Sequence, residues 1–154
     1  EARAELVERY YHAHNRALTE LVDQQLEQHG HALIIDCHSF PSKPLPYQGL
    51  GEGHRTIPEI CIGTDAFHTP NDLRDRLLVG FAEQGFMVGL NYPFAGALTP
   101  LKHYQSDERV TAIMIEIRRD LYMEEGTGER LYRFQFVRQS LTRILDYAGT
   151  NQPI

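Results

Sequence analysis

Apolar residues recur at helical spacing over positions 1–29, with Leu6, Tyr10, Ala13, Ala17, Leu21 and Leu26 in line and Val7, Leu18 and Val22 beside them. The period predicts an amphipathic helix that stops at Gly30, a residue able to take the left-handed conformation of a helix terminus. A short, branched run, Ala32, Leu33, Ile34 and Ile35, then reads as a buried strand, and Asp36, Cys37, His38 and Ser39 stand where it emerges. Over positions 39–58 periodicity is lost in SFPSKPLPYQGLGEGHRTIP, whose four prolines and three glycines predict a long loop. EICIG at 59–63 reads as a second strand and positions 65–69 as a turn. Thr69 is placed to cap a helix with Pro70 in its first position, and Leu73, Leu77, Leu78 and Phe81 give that helix an apolar side ending at Gly85. FMVGL at 86–90 predicts a third strand and VTAIMIEI at 110–117 a fourth, with a loop over 98–109 between them. After the glycine turn EEGTGE at 124–129, a last helix carries Leu131, Phe134, Val137, Leu141, Ile144 and Leu145 on its apolar side.

Strands separated by helices and long crossovers predict an α/β fold, with a mostly parallel or mixed sheet flanked by helices. No internal repeat or low-complexity tract interrupts it. The length of 154 residues and 42% hydrophobic content fit one domain, 1–154, around one sheet. A formal charge of −6 argues against a surface built to neutralise nucleic-acid phosphates. Two cysteines, Cys37 and Cys61, are too few for a disulfide framework and point to a reducing compartment. No apolar run approaches the roughly 20 residues needed to span a bilayer, and the opening EARAELVER has no signal-peptide pattern, so no membrane partner and a cytoplasmic location are expected. The chain enters its helical pattern at once and without an initiator Met, as the carboxy-terminal portion of a longer chain would.

Alternation along a strand puts Asp36 and His38 on one face and Cys37 and Ser39 on the other. An imidazole at a strand end can ligate zinc while a nearby carboxylate such as Asp36 orients it; a structural histidine is the plainer alternative. Glu116 sits inside an apolar strand, where an ionised carboxylate is costly unless paired or employed. It shares a face with Arg118, whereas Arg119 is expected to point away. The pair is either a structural ion pair at a sheet end or a general base beside an anion-binding guanidinium. Cys37, facing away from His38, is expected to be a small buried residue, and His12 and His14 are poorly spaced as a ligand pair. Asn91, after the third strand, is either turn chemistry or a substrate contact.

DCHSF at 36–40, PEICIGTD at 58–65, GFMVGLNYPFAGA at 85–97 and IEIRRDLYM at 115–123 together resemble the N-formylglutamate amidohydrolase family. The resemblance runs in order through most of the chain. It implies a zinc-carboxypeptidase-like, phosphorylase/hydrolase-like α/β fold and zinc-dependent hydrolysis of the amide of an N-formyl or other N-acyl amino acid. In it His38 matches a metal ligand, Glu116 the carboxylate that activates water, and Arg118 and Asn91 candidates for holding substrate carboxylates. The family's other metal ligands, a His and an acidic residue, lie upstream of the matching part. A carboxypeptidase-like peptidase, a non-catalytic domain binding a small acid or a partner, and a hydrolase using Cys37 are the alternatives.

Overall fold

The computed structural model describes residues 2–43 and 56–149, so most of the long loop expected over 39–58 lies outside the described residues. Helix α1 (Ala2–Leu6) continues through a π-helical segment (Val7–His12) into α2 (Ala13–His29). Strand β1 (Ala32–Phe40), strand β2 (Ile60–Gly63), helix α3 (Asn71–Glu83), strand β3 (Val88–Leu90), strand β4 (Val110–Arg118), a 3-10 turn (Arg119–Leu121) and helix α4 (Phe134–Ala148) follow. Gly30 ends α2 at φ 75°, its N–H returning to the Leu26 carbonyl at 2.9 Å, as its position predicts. Among the described residues no helix is long and apolar enough to cross a membrane.

The sheet is mixed, in the order β1-β4-β2-β3. β1 runs parallel to β4 and β2 parallel to β3, while β2 and β4 are antiparallel. One face carries Ile60, Ile62, Ile113 and Ile115, each fully buried under Leu73, Leu77 and Phe81 of α3 and Val137 and Ile144 of α4. On the other face Val22 of α2 packs with Ala32 and Val110, flanked by Leu18, Leu26 and Ile34. The i, i+4 spacing of Leu18, Val22 and Leu26 selects which side of the long helix is buried. Leu6, Tyr10 and Leu21 of the same predicted stripe are exposed, and α1 and the π-helical segment bury no residue.

Several expected details change. β1 continues to Phe40, because β4 pairs with it over nine residues, so Asp36 to Ser39 lie within the ladder and not beyond it. Cys37 is exposed where a buried residue is expected, since β1 lies at an edge of the sheet. Thr69 does not cap α3: its hydroxyl donates to the Ala112 carbonyl at 2.6 Å and accepts the Asp65 N–H at 2.9 Å, so Pro70 takes the cap position. β3 is shorter than predicted, starting at Val88, since the Met87 carbonyl accepts the N–H groups of Glu59 and Ile60 at 2.8 and 3.1 Å. Leu131 precedes α4 and donates its N–H to the Tyr122 carbonyl.

Candidate active site

The strand registers bring three distant residues into one row. His38 of β1 is the Cα partner of Glu116 on β4, and Glu116 is in turn the partner of Cys61 on β2. By alternation their side chains share the face on which α2 lies, together with Asp36, Met114 and Phe40. α2 covers the amino-terminal halves of β1 and β4, leaving the row toward their carboxyl ends, where open α/β sheets place ligands.

His38 Nε2 lies 2.8 Å from Asp36 Oδ1, the contact that the two-residue spacing predicts; the imidazole is half exposed and the carboxylate largely covered. Glu116 is 6% exposed, and its Oε2 is buried with no hydrogen-bond partner among the described residues. Burial pushes the Glu116 carboxyl above its usual range; His38 and Arg119 pull it down and the Asp36 charge adds to the rise. A buried carboxylate oxygen with no hydrogen-bond partner among the described residues, beside a histidine, is suited to taking a proton.

Of the two readings of Glu116 and Arg118, the ion pair is absent among the described residues. Arg118 instead gives Nε to Asp120 at 2.8 Å and Nη1 to the carbonyls of Ile57 and Pro58 at 2.9 and 3.4 Å, fixing the approach to β2. Asn91, at φ 52°, closes a two-way bond with Thr64: Oδ1 accepts the Thr64 N–H at 2.9 Å and Nδ2 donates to the hydroxyl at 2.8 Å. By the donor count of an amide, the second Nδ2 hydrogen has no partner among the described residues. Arg119 lies outside the set that alternation selects. The strand ends at Arg118, so alternation does not govern Arg119, which acts on Glu116 and pairs with Glu125 at 3.7 Å. Glu125 also accepts the backbone N–H and the hydroxyl of Ser42, tying the segment after β1 to the turn at 124–129.

Cys61 is the other residue that the sequence pattern misses. It is fully buried, its thiol is pushed up by burial, and Sγ donates to the Phe94 carbonyl at 3.2 Å. Nothing local in EICIG signals this, since Cys61 meets Glu116 only through strand order.

Catalytic zinc takes three protein ligands. His38 offers one imidazole backed by Asp36, and among the described residues no three His, Cys, Asp or Glu side chains are arranged to hold a metal ion. These residues therefore do not fit a complete site.

Two solved structures share the fold. The N-formylglutamate amidohydrolase from Ralstonia eutropha JMP134 superposes with a TM-score of 0.79 at 31% identity, over 94% of this chain and 54% of that one. The gene product Atu2144 from Agrobacterium tumefaciens matches in fold with a TM-score of 0.61 at 21% identity, over 94% of this chain and 53% of that one. The chain thus spans about half the length of each. No curated protein matches the sequence. The family model of N-formylglutamate amidohydrolase matches residues 1–123, a span that holds Asp36, His38, Asn91, Glu116 and Arg118. The chain belongs to the N-formylglutamate amidohydrolase family.

Proposed function

We propose that the full-length protein hydrolyses the amide of an N-formyl amino acid such as N-formylglutamate, with Glu116 as the proton-transfer group. The observation that carries this reading is the buried Oε2 of Glu116, without a hydrogen-bond partner among the described residues, next to the His38–Asp36 pair. Family membership supplies the reaction class.

Water bound beside Glu116 gives a proton to the carboxylate as its oxygen attacks the formyl carbon, forming a tetrahedral intermediate. The same proton then passes to the amide nitrogen, the C–N bond breaks, and formate and the free amino acid leave. Burial makes the carboxylate a better base than one in water, and proton transfer by a positioned side chain is worth about 10²–10⁴-fold in rate. His38, held by Asp36, faces the same space. Arg118 and Asn91 are assigned to the substrate carboxylates, Asn91 through its remaining amide hydrogen.

Zinc belongs to the proposal for the full-length protein, with His38 as one ligand. The described residues by themselves do not make a whole site for it.

The test is a substrate panel. Full-length protein supplied with zinc is offered N-formyl and N-acetyl amino acids and short peptides, and amino-acid release is followed. Turnover of N-formylglutamate above the others is expected; peptides as the preferred substrates would move the protein to the carboxypeptidase-like reading, and no turnover at all would remove the hydrolase reading.

A further inference from the structure

The residues that wall in Glu116 come from separate parts of the chain. Met114 precedes it on the same face, and His38 and Cys61 flank it on the neighbouring strands. Phe40, two residues on from His38 along β1, meets Phe94 edge-on, with 5.6 Å between ring centroids. β4 lies between β1 and β2, so this aromatic pair spans the strand that carries Glu116.

Phe94 belongs to the segment 91–96, which is fastened along β2. The Asn91 N–H donates to the Ile62 carbonyl at 2.8 Å, and the Asn91 amide is bonded to Thr64. The Cys61 thiol holds the Phe94 carbonyl at 3.2 Å. At Gly63 a Cβ would stand 2.5 Å from the Gly96 carbonyl oxygen, so only glycine admits the segment this close. Thr64 and Gly63 fix the two ends of the segment. Cys61 alone among these residues also stands opposite Glu116. A thiol is small and weakly polar, so it can hold the Phe94 carbonyl on the strand next to the buried Glu116 Oε2, which has no hydrogen-bond partner among the described residues.

We propose that Cys61 is a positioning residue: by anchoring the Phe94 carbonyl it sets the segment 91–96 as one wall of the Glu116 site and so limits the size of acyl group that reaches the carboxylate. This rests on the amidohydrolase reading given above.

The experiment compares full-length wild type, Cys61→Ala and Cys61→Ser. Two quantities are measured: the ratio of kcat/KM for N-formylglutamate over N-acetylglutamate, and hydrogen–deuterium exchange of the peptide covering 91–96. Loss of one weak hydrogen bond corresponds to about a three- to fivefold effect. Cys61→Ala is expected to speed exchange of the segment and to lower the formyl-to-acetyl ratio by that factor. Cys61→Ser keeps a donor and is expected to restore most of both. Exchange and ratio unchanged in Cys61→Ala overturn the proposal, as do equal shifts in the Ala and Ser variants, which indicate packing alone. A wild type that cleaves neither substrate removes the amidohydrolase reading and with it the limit on acyl size; the exchange data still decide the anchoring, which fails if Cys61→Ala leaves exchange unchanged.

Discussion

The burial that makes Glu116 costly to the fold is what the proposed chemistry would use. Its carboxyl is shifted up mainly by burial, so the folded chain holds this proton to a higher pH than the unfolded chain does. A raised folded value means that the stability linked to this group is fully present below the ordinary carboxyl range. It is lost as pH rises through the folded value, because the folded state must then hold an unpaired charge. Glu116→Gln removes the charge and keeps the shape. It is expected to raise the melting temperature at neutral pH by about 2–4 °C, the shift that roughly 1 kcal/mol produces in a domain of this size. The difference should close as pH falls toward about 4. The same variant is expected to lose about 10²–10⁴-fold in kcat in the full-length protein. Melts across pH, set beside turnover, check both; a variant that gains no stability at neutral pH shows that the charge is not strained. His68 shows that burial alone does not make a histidine functional. It is 1% exposed, yet Nδ1 donates to the Val110 carbonyl at 2.7 Å and Nε2 accepts the Gln105 N–H at 2.9 Å, so both nitrogens are committed to the fold. His68→Leu is expected to cost about 1–3 kcal/mol for each backbone group left unpaired, read as a lower denaturation midpoint in urea.

Between elements, the attachment of α2 governs which part of the sheet face stays open. Besides its apolar contacts, α2 is fastened by Asp23, which meets Lys102 Nζ at 2.7 Å and His103 Nε2 at 2.9 Å. Lys102 first and His103 next hold the Asp23 carboxyl below its usual range. A lowered folded value gives stability that is present above the ordinary aspartate range and lost as pH falls through the folded value. Asp23→Asn is therefore expected to speed amide exchange in α2 at neutral pH and to match wild type in acid; equal exchange at neutral pH would mean that the apolar contacts alone hold the helix. The opposite face depends on packing: Leu77, fully buried between α3 and the sheet, should cost about 2–5 kcal/mol on truncation to Ala. Element types were readable from the chain because each depends on local spacing, as Gly30 and the alternation through Asp36 and His38 illustrate. Register and strand order were not. No local pattern in EICIG or VTAIMIEI says that β4 inserts between β1 and β2, yet that insertion sets Cys61 and His38 on either side of Glu116. The assignment of Thr69 as a cap failed for a related reason, since a carbonyl on β4 claims its hydroxyl. Arg119 was misplaced because alternation stops where a strand turns into a 3-10 helix.

At the scale of the molecule, the sheet separates stability from chemistry. One face is closed by α3 and α4 over an isoleucine-rich core, and α2 covers part of the other, leaving the polar row to be held by strands whose packing is settled elsewhere. Within that row His38 differs from Glu116 and Cys61 in standing on the outer strand with half its side chain exposed, so anything further that coordinates or covers it must approach from outside the described fold. This gives the metal proposal a test that needs no catalysis. If His38 is a ligand and Asp36 orients it, full-length protein should retain zinc through dialysis. Asp36→Ala should lose about 10–100-fold in affinity in a chelator-competition titration, the usual cost of removing the group that holds a ligating histidine. His38→Ala, which removes the ligand itself, should lose more. Zinc affinity that is the same in all three proteins would free His38 from coordination and leave it as a hydrogen-bonding neighbour of Glu116, while an ordered loss from wild type through Asp36→Ala to His38→Ala would tie the two-residue spacing on β1 to the metal, with Glu116 on the next strand left to move the proton.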